Sequence, residues 1–307
     1  MQKRWKHTII ILSLFILLPY IVTVFMKGEG SFPELEHEKK HVTVQVNGIK
    51  TQVLWDEFLL GVVAKEIPLT YSYEAMKAQT VMARTRLVKE ATGKKAYVYK
   101  ETYFTAEEIQ QKWQYLEPIE VYHLLKSAVQ ETKGQVLMYD DNYIETPYHL
   151  LSNGTTRSGV EVLGAEEYEY LTAVKCQLDT LSNVYSSVKK ISYKELIKEL
   201  GLTVKTSDIK WDNHDVKINE TDKSNYVKSI NIKGNIVTGE VFRKKFNLPS
   251  SAIQLELEDE YLIVTTEGIG HGIGLSQNTA HYMGLEGKKY EDILMYFFKH
   301  TKIISEK

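Results

Sequence analysis

The 307-residue chain has little cysteine and no marked excess of charge of either sign. Its single cysteine, Cys176, excludes an internal disulfide framework and a cysteine-rich zinc site. Basic and acidic side chains number 38 and 40, so the basic surplus typical of nucleic-acid-binding proteins is missing. The 9 histidines are scattered, without the close pairing found on metal-binding helices. The sequence therefore predicts no nucleic-acid partner, no metal and no cofactor.

One segment departs from this average composition, because residues 8–26 are apolar and carry no charge. About 20 apolar residues suffice for a helix to span a bilayer. Basic residues precede the run, and no small-x-small cleavage pattern follows it. We predict a cytoplasmic tail at 1–7, a transmembrane signal anchor at 8–26 and an extracytoplasmic body at the cell membrane. A long cleaved signal peptide is the alternative, and it also places the body outside the cytoplasm.

The exported part begins with a polar segment at 27–42 that contains glycine and proline, as linkers do. Apolar and polar residues then alternate on both sides of Asn47-Gly48, and this residue pair is typical of a two-residue hairpin turn. Helical patterns follow, and most segments after Gly134 read as strands separated by turns. We predict an α+β fold for residues 43–307, a single extracytoplasmic domain with N-terminal helices and a mostly antiparallel β region.

Two helices carry the clearest local signals. Asp56 is the expected N-cap of a helix that ends near Glu66, before Pro68, and Ser72 is the expected N-cap of the next. The second helix has a predicted buried face made of Ala75, Ala78, Met82 and Thr85. Later in the chain we expect a turn at Asp141-Asn142, a short inserted helix after Tyr193, strands through 226–265 and a helix from Tyr290.

Glu66 is the first candidate for chemistry, because it lies at a helix end between apolar neighbours and close to Pro68. A carboxyl group in partly apolar surroundings has a raised pKa, which suits a general acid near neutral pH. A surface glutamate on an amphipathic helix is the alternative interpretation of this segment.

Two loops have residue types that a plain core would not need. The segment 148–156 is rich in hydroxyl and amide groups, which can contact a sugar or an acyl group, although an ordinary turn explains it equally. The segment 268–277 places four glycines around His271, so it needs tight turns or accommodates a close ligand. His271 can donate a hydrogen bond, bind a metal or only hold the loop. The segment lacks the spacing of phosphate-binding loops, and Cys176 reads as a buried small residue.

The order of these segments resembles the family of stage II sporulation protein D and the amidase enhancers. The matching motifs in this chain are AKEIP at 64–68, EAMKAQTVMART at 74–85, TKGQV at 132–136, YHLLSNGTT at 148–156 and GHGIGLSQ at 270–277. Together they cover about residues 43–304. The chain departs from the family pattern at Ala64-Lys65, Asn153 and Ile269, which bear on the shape of the groove.

The resemblance implies a lytic transglycosylase that cleaves the MurNAc–GlcNAc bond of peptide-stripped peptidoglycan and leaves 1,6-anhydromuramyl ends. Glu66 matches the catalytic glutamate of the family. The residues expected to line the groove or contact substrate are Lys77, Gln79, Arg84, Tyr148, His149, Ser152, Asn153, Gly154, His271, Ser276 and Gln277. For Arg84, pairing with a carboxylate inside the fold is an equal alternative.

The resemblance also implies partners: peptidoglycan glycan strands, a partner amidase and a further membrane protein of the engulfment process in sporulation. The anchor fits this role, because tethering raises the local concentration of an enzyme at the cell wall. The alternative, suggested by the amidase-enhancer branch, is a non-catalytic wall-binding module that stimulates an N-acetylmuramoyl-L-alanine amidase.

Overall fold

The computed structural model describes residues 40–114, 118–202, 211–212 and 215–306. These residues form an α+β fold whose sheets are mostly antiparallel, as predicted. The predicted signal anchor at 8–26 lies outside the described residues. Within the part of the chain that is described, no helix has the length and apolar character needed to span a membrane.

The fold opens with the predicted hairpin. Its strands are β1 (His41–Val46) and β2 (Ile49–Leu54), which pair antiparallel and are joined at Asn47-Gly48. Both turn residues have positive φ angles, 50° and 83°, as a type I′ turn requires. The short strand β3 (Val98–Tyr99) pairs with β1 in parallel.

The first helix, α1 (Trp55–Glu66), follows directly from the hairpin. The predicted cap at Asp56 is wrong, because the N-cap is Leu54 and Asp56 lies inside the first turn, where a carboxylate favours the helix dipole. The helix ends at Glu66, before Pro68, as predicted.

The second helix, α2 (Tyr73–Ala91), is the central element of the first hydrophobic core. The predicted cap is confirmed, because the Ser72 hydroxyl accepts a hydrogen bond from the Ala75 amide at 3.4 Å. The predicted apolar face is buried, but so is every other residue from Ala75 to Thr85. Helix α2 is surrounded because α1 and several later elements all pack against it. Its polar side chains must therefore find partners inside the protein.

The remaining elements around this core are short. They are α3 (Ala106–Lys112), α4 (Pro118–Glu131), β4 (Gln135–Tyr139), β5 (Asn142–Tyr143), β6 (Tyr148–His149), α5 (Gly159–Leu163), β13 (Leu275–Ser276), α8 (Gln277–Leu285), α9 (Tyr290–Phe297) and β14 (Lys302–Ser305). The helix predicted from Tyr290 is confirmed. The turn after β4 is one residue earlier than predicted, because Asp140 and Asp141 have the positive φ angles and Asn142 already belongs to β5.

A second hydrophobic core is formed by described residues that lie between Ile191 and Val264 in the chain. Its elements are β7 (Ser186–Ser192), α6 (Tyr193–Leu200), β8 (Val216–Thr221), β9 (Val227–Ile232), β10 (Asn235–Thr238), α7 (Gly239–Lys245), β11 (Ile253–Glu258) and β12 (Tyr261–Glu267). They form two three-stranded antiparallel sheets, β10-β9-β8 and β11-β12-β7. The inserted helix after Ser192 is confirmed. The strand expected through 239–242 is wrong, because Thr238 caps α7 there and its hydroxyl accepts from the Val241 amide.

The site is assembled where β6 and β13 pair in parallel, with Leu275 opposite Tyr148 and Ser276 opposite His149. Leu151 also forms a bridge with Ile269. This pairing places the two polar loops of the sequence beside each other and next to the end of α1.

Candidate active site

Glu66 is the last residue of α1, and its side chain is 10% exposed. Two side chains of α2 hold its carboxylate. The Gln79 amide donates to Oε2 at 2.8 Å, and the Arg86 guanidinium donates to Oε1 at 2.5 Å. The carboxyl group is thus oriented by one neutral and one charged donor.

Arg86 is a site residue that the sequence analysis missed. It lies seven residues after Gln79, which is two helical turns along the same face of α2. This spacing is the sequence pattern that could have identified Arg86 as a neighbour of Gln79. Its guanidinium also donates to Glu101 at 2.6 Å and lies 3.5 Å from Glu90. Arg86 therefore links Glu66 to a small network of acidic side chains.

Gln277, the first residue of α8, fixes the end of α1 from the opposite side. Its amide nitrogen donates to the backbone oxygen of Glu66 at 2.8 Å and to the Gln79 side-chain oxygen at 3.2 Å. Two of the predicted contact residues, Gln79 and Gln277, are thus brought together with Glu66.

The surroundings of Glu66 act on its ionisation. Burial raises the pKa of Glu66, while the charge of Arg86 and the hydrogen bond from Gln79 act in the opposite direction. Burial also raises the pKa of the Tyr148 hydroxyl, and the Glu66 carboxylate beside it adds to the rise. Tyr148 therefore stays protonated at neutral pH and is a hydrogen-bond donor next to the carboxyl group.

A cleft of about 570 Å³ adjoins this cluster, and we name it the Glu66 cleft. It is lined by Arg86, Glu145, Thr146, Pro147, Tyr148, Leu163, Tyr168, His271 and Ile273. Glu66 contacts two residues of this wall, Arg86 and Tyr148. A concave site of this kind, with apolar walls and a few polar groups, is suited to binding a ligand.

The two histidines of the predicted site have different surroundings. His271 lines the Glu66 cleft, and its Nδ1 accepts a hydrogen bond from the Ile273 amide at 3.0 Å. His149 is buried behind it, with the ring centres 5.8 Å apart. Burial lowers the pKa of His149 to about 3, so this ring is neutral at physiological pH. Its Nδ1 lies 3.2 Å from the Ile273 carbonyl oxygen, and its Nε2 has no hydrogen-bond partner among the described residues.

Ser152 and Ser276 are placed inside the fold by a fully buried carboxylate, Asp179. Both serine hydroxyls donate to Asp179 at 2.7 Å, and the Thr279 hydroxyl donates at 2.8 Å. Asn278 adds a fourth side-chain donor at 3.2 Å. Asp179 joins the two polar loops, and no spacing pattern in the sequence indicated this role.

Asn153 and Gly154 also make internal contacts. The Asn153 backbone amide donates to the hydroxyl of Tyr226 at 3.1 Å, and its side chain donates to the Ser224 carbonyl at 2.8 Å. Gly154 has a φ of 101° and its amide donates to the Ser152 hydroxyl at 3.1 Å. These contacts hold the loop inside the fold, and neither residue lines the Glu66 cleft.

Lys77 and Arg84 lie outside the cluster around Glu66. The Arg84 guanidinium is buried and donates to the backbone oxygens of Val129, Thr132 and Gln135 at 2.6–3.1 Å, so it satisfies carbonyls at the end of α4. It also donates to the Thr132 hydroxyl at 3.3 Å, so Arg84 makes internal contacts within the fold. Lys77 pairs with Glu74 at 2.9 Å on the same helix.

The glycines around His271 are required for packing. Gly270 has a φ of 121°, and a Cβ there would lie 2.5 Å from the Cβ of His149. A Cβ on Gly274 would collide with the backbone oxygen of Pro147. These contacts show that the glycines allow the second loop to lie against the first.

Cys176 is buried, and burial raises the pKa of its thiol to about 12. The thiolate needed for nucleophilic or metal chemistry is therefore disfavoured. Among the described residues, no group of three histidine, cysteine, aspartate or glutamate side chains is arranged to hold a metal ion.

Comparison with known proteins agrees with the motifs. The sequence model of the family described as Stage II sporulation protein matches residues 45–139, which contain Glu66, Gln79 and Arg86. The similarity to the stage II sporulation protein D family is confirmed. Stage II sporulation protein D of Bacillus subtilis is 29% identical over 259 residues, covering 81% of this chain and 74% of the relative.

Two further relatives extend this comparison. Stage II sporulation protein D of Bacillus amyloliquefaciens is 28% identical over 290 residues, covering 90% of this chain and 82% of the relative. An amidase enhancer of Bacillus subtilis is 24% identical over 296 residues, covering 80% of this chain and 40% of the relative. The similarity therefore extends well beyond the region matched by the family model.

Proposed function

We propose that the protein is a lytic transglycosylase that cleaves MurNAc–GlcNAc bonds of peptide-stripped peptidoglycan during cell-wall remodelling in sporulation. The observation that carries the proposal is Glu66, a buried carboxyl group with a raised pKa beside a cleft. The similarity to stage II sporulation proteins D supports the biological setting.

One acid is sufficient for this reaction. Glycosidases that use water need two carboxylates, one for the leaving group and one for the attacking water or the glycosyl intermediate. In the proposed reaction the C6 hydroxyl of the sugar attacks its own anomeric carbon. Protonated Glu66 gives its proton to the glycosidic oxygen, the bond to the leaving sugar breaks, and the carboxylate then accepts the proton of the C6 hydroxyl.

The partners of Glu66 fit both stages of this cycle. Burial favours the protonated acid before bond cleavage. After proton transfer, the hydrogen bonds from Gln79 and Arg86 stabilise the carboxylate. Tyr148, a protonated donor beside Glu66, is placed to contact substrate oxygen atoms in the cleft.

The apolar run at 8–26 supports a single-pass anchor in the cell membrane with the catalytic body at 43–307 outside. Such an anchor holds the enzyme close to the cell wall. The similarity to an amidase enhancer supports a functional link with an amidase that removes stem peptides, and a further engulfment protein completes the proposed partnership.

The second candidate is a non-catalytic module that binds the wall and stimulates an amidase. The observation that favours it is the same similarity to an amidase enhancer over 80% of this chain. On this alternative, Glu66 only holds the end of α1 against α2.

Digestion of peptide-free glycan strands by the full-length protein separates the two candidates. We expect the wild type to release 1,6-anhydromuramyl ends, detected by mass spectrometry, and Glu66→Gln to lose at least about a hundredfold in rate, as loss of a general acid does. Glu256→Gln is the matched control, because Glu256 is an exposed carboxylate on β11 and lies outside the Glu66 cleft. Equal product from Glu66→Gln and wild type would refute the assignment, and amidase stimulation by both would favour the module.

A further inference from the structure

A second cleft, of about 590 Å³, lies beside the Glu66 cleft. Four tyrosines give it its character, and we name it the tyrosine cleft. They are Tyr139, Tyr143, Tyr168 and Tyr170. Tyrosine supplies a flat apolar ring and one polar hydroxyl, so a wall of several rings suits a ligand that has apolar faces and polar edges.

The two clefts are neighbours on the surface of the protein. Tyr168 lines both of them, and the consecutive residues Ile144 and Glu145 line one cleft each. Lys89 of the tyrosine cleft forms an ion pair with Glu145 of the Glu66 cleft at 2.7 Å. The tyrosine cleft is therefore the adjacent surface that an extended polymer bound at Glu66 would reach.

One ring of the tyrosine cleft is buried and held by hydrogen bonds, whereas the other three rings are partly accessible. Tyr170 is buried, and its hydroxyl bonds to both the amide and the carbonyl of Glu145, at 3.0 and 3.1 Å. The ring of Tyr139 lies 5.4 Å from that of Tyr170, and Tyr139, Tyr143 and Tyr168 are half-buried. A ligand can thus stack on rings that the protein already holds in place, at little cost in side-chain entropy.

The charged residues of the tyrosine cleft determine which kind of polymer it can bind. Asp140 and Glu167 oppose a polyanion with a charge on every unit, while Asn142 and Thr92 add neutral polar groups. An amino-sugar strand carries at most one carboxylate for every two sugars, and Lys89 is available to meet it because its ion pair with Glu145 is partly exposed. The chemistry of the walls therefore fits a glycan strand.

We propose that the tyrosine cleft is a binding site for the glycan strand, where sugar rings distant from the scissile bond stack on Tyr139, Tyr143 and Tyr168. This inference rests on the proposed function, because it makes the cleft an extension of the site at Glu66. It predicts that strand length controls affinity, since a short glycan fills the Glu66 cleft alone.

Binding to the full-length protein in the Glu66→Gln background tests this site without turnover. The probes are chitobiose and chitohexaose, measured by calorimetry. We expect Tyr139→Ala combined with Tyr143→Ala to weaken chitohexaose binding about fivefold or more, as loss of aromatic contacts does, with chitobiose binding unchanged. The corresponding phenylalanine double variant keeps the rings and should bind chitohexaose like its parent.

Tyr261→Ala is the matched control, because Tyr261 is an exposed tyrosine at the start of β12 and lies outside both clefts. Chitohexaose affinity that is unchanged in the alanine double variant, or equally weakened for both probes, overturns the inference. The same holds if the phenylalanine variant binds as weakly as the alanine variant. The readout is independent of the proposed reaction, so absence of anhydromuramyl products with length-dependent binding intact would reject only the reaction.

Discussion

At the scale of single residues, Glu66 shows how a buried carboxyl group can have a raised pKa and still be well oriented. Its burial favours the neutral form, and its two hydrogen-bond donors favour the charged form. The helix end and Pro68 allowed the sequence to indicate Glu66 itself. Arg86 escaped the sequence analysis because an arginine on a helix is usually exposed, and only the fold brings it to the end of α1.

His149 is the residue whose titration should act on stability. Its ordinary pKa of 6.5 falls to about 3 in the folded state because the ring is buried. The folded state therefore resists protonation, so this contribution to stability is fully present above pH 6.5 and is lost as pH falls towards 3. Lowering the pH to about 5 should cost about 2 kcal/mol of the free energy of unfolding through this group.

Urea unfolding of wild type and His149→Gln at about pH 7.5 and pH 5 measures this effect. We expect the loss of stability between the two pH values to shrink by about 2 kcal/mol in the variant. His123→Gln, at an exposed histidine, should behave like wild type. An unchanged pH dependence in His149→Gln would show that another group dominates the acid loss.

At the scale of elements, buried carboxylate Asp179 ties the start of α8 to the loop after β6. It accepts hydrogen bonds from Ser152 and Ser276, and the Ser276 hydroxyl in turn caps α8 through the Thr279 amide. Removing the carboxylate leaves several buried donors without an acceptor, which is costlier than losing one exposed hydrogen bond. The helix that carries Gln277 depends on this arrangement.

Asp179→Ala should therefore destabilise the protein by about 3 kcal/mol or more, whereas Asp179→Asn should cost less because it keeps one acceptor oxygen. Thermal or urea unfolding measures the difference. Glu256→Ala, on an exposed strand position, serves as the comparison and should shift stability by less than about 0.5 kcal/mol. Equal stability of Asp179→Ala and Glu256→Ala would contradict the role of Asp179 in joining α8 to the loop after β6.

The same elements show how far the sequence determines the structure. The hairpin at Asn47-Gly48, the cap at Ser72 and the helix from Tyr290 were predictable, because their signals are local. The carbonyl acceptors of Arg84 and the role of Asp179 were not, because these partners lie on segments distant in the chain. Local patterns identify a buried face, but they do not say which polar side chains are buried with it.

At the scale of the whole molecule, two hydrophobic cores divide the described chain. Helix α2 and the Glu66 cluster belong to the first, and the sheets of residues 186–267 belong to the second. Phe242 is fully buried in the second core and Phe297 is buried in the first. Truncating either ring removes similar apolar contacts, so the pair reports on how the cores are coupled.

Phe242→Ala should cost about 3–5 kcal/mol and should raise hydrogen exchange chiefly in β9, β11 and β12, while α2 stays protected. Phe297→Ala should cost a similar amount and should deprotect α2. Hydrogen–deuterium exchange with mass spectrometry distinguishes the two patterns. Uniform loss of protection in both variants would mean that the cores unfold as one cooperative unit.

The segment that precedes β7 and the segment that follows β12 lie side by side, because the Gly268 amide donates to the Tyr185 carbonyl oxygen at 2.7 Å. A second tie, the buried ion pair of Arg157 with Asp222 at 2.6 Å, joins the two parts. An insertion whose ends meet in this way can lengthen or shorten without moving its host, since loop closure depends only weakly on length. We therefore expect changes of length between 186 and 267 to leave the first core in place, provided that they spare Asp222, Ser224 and Tyr226, which contact the polar loops.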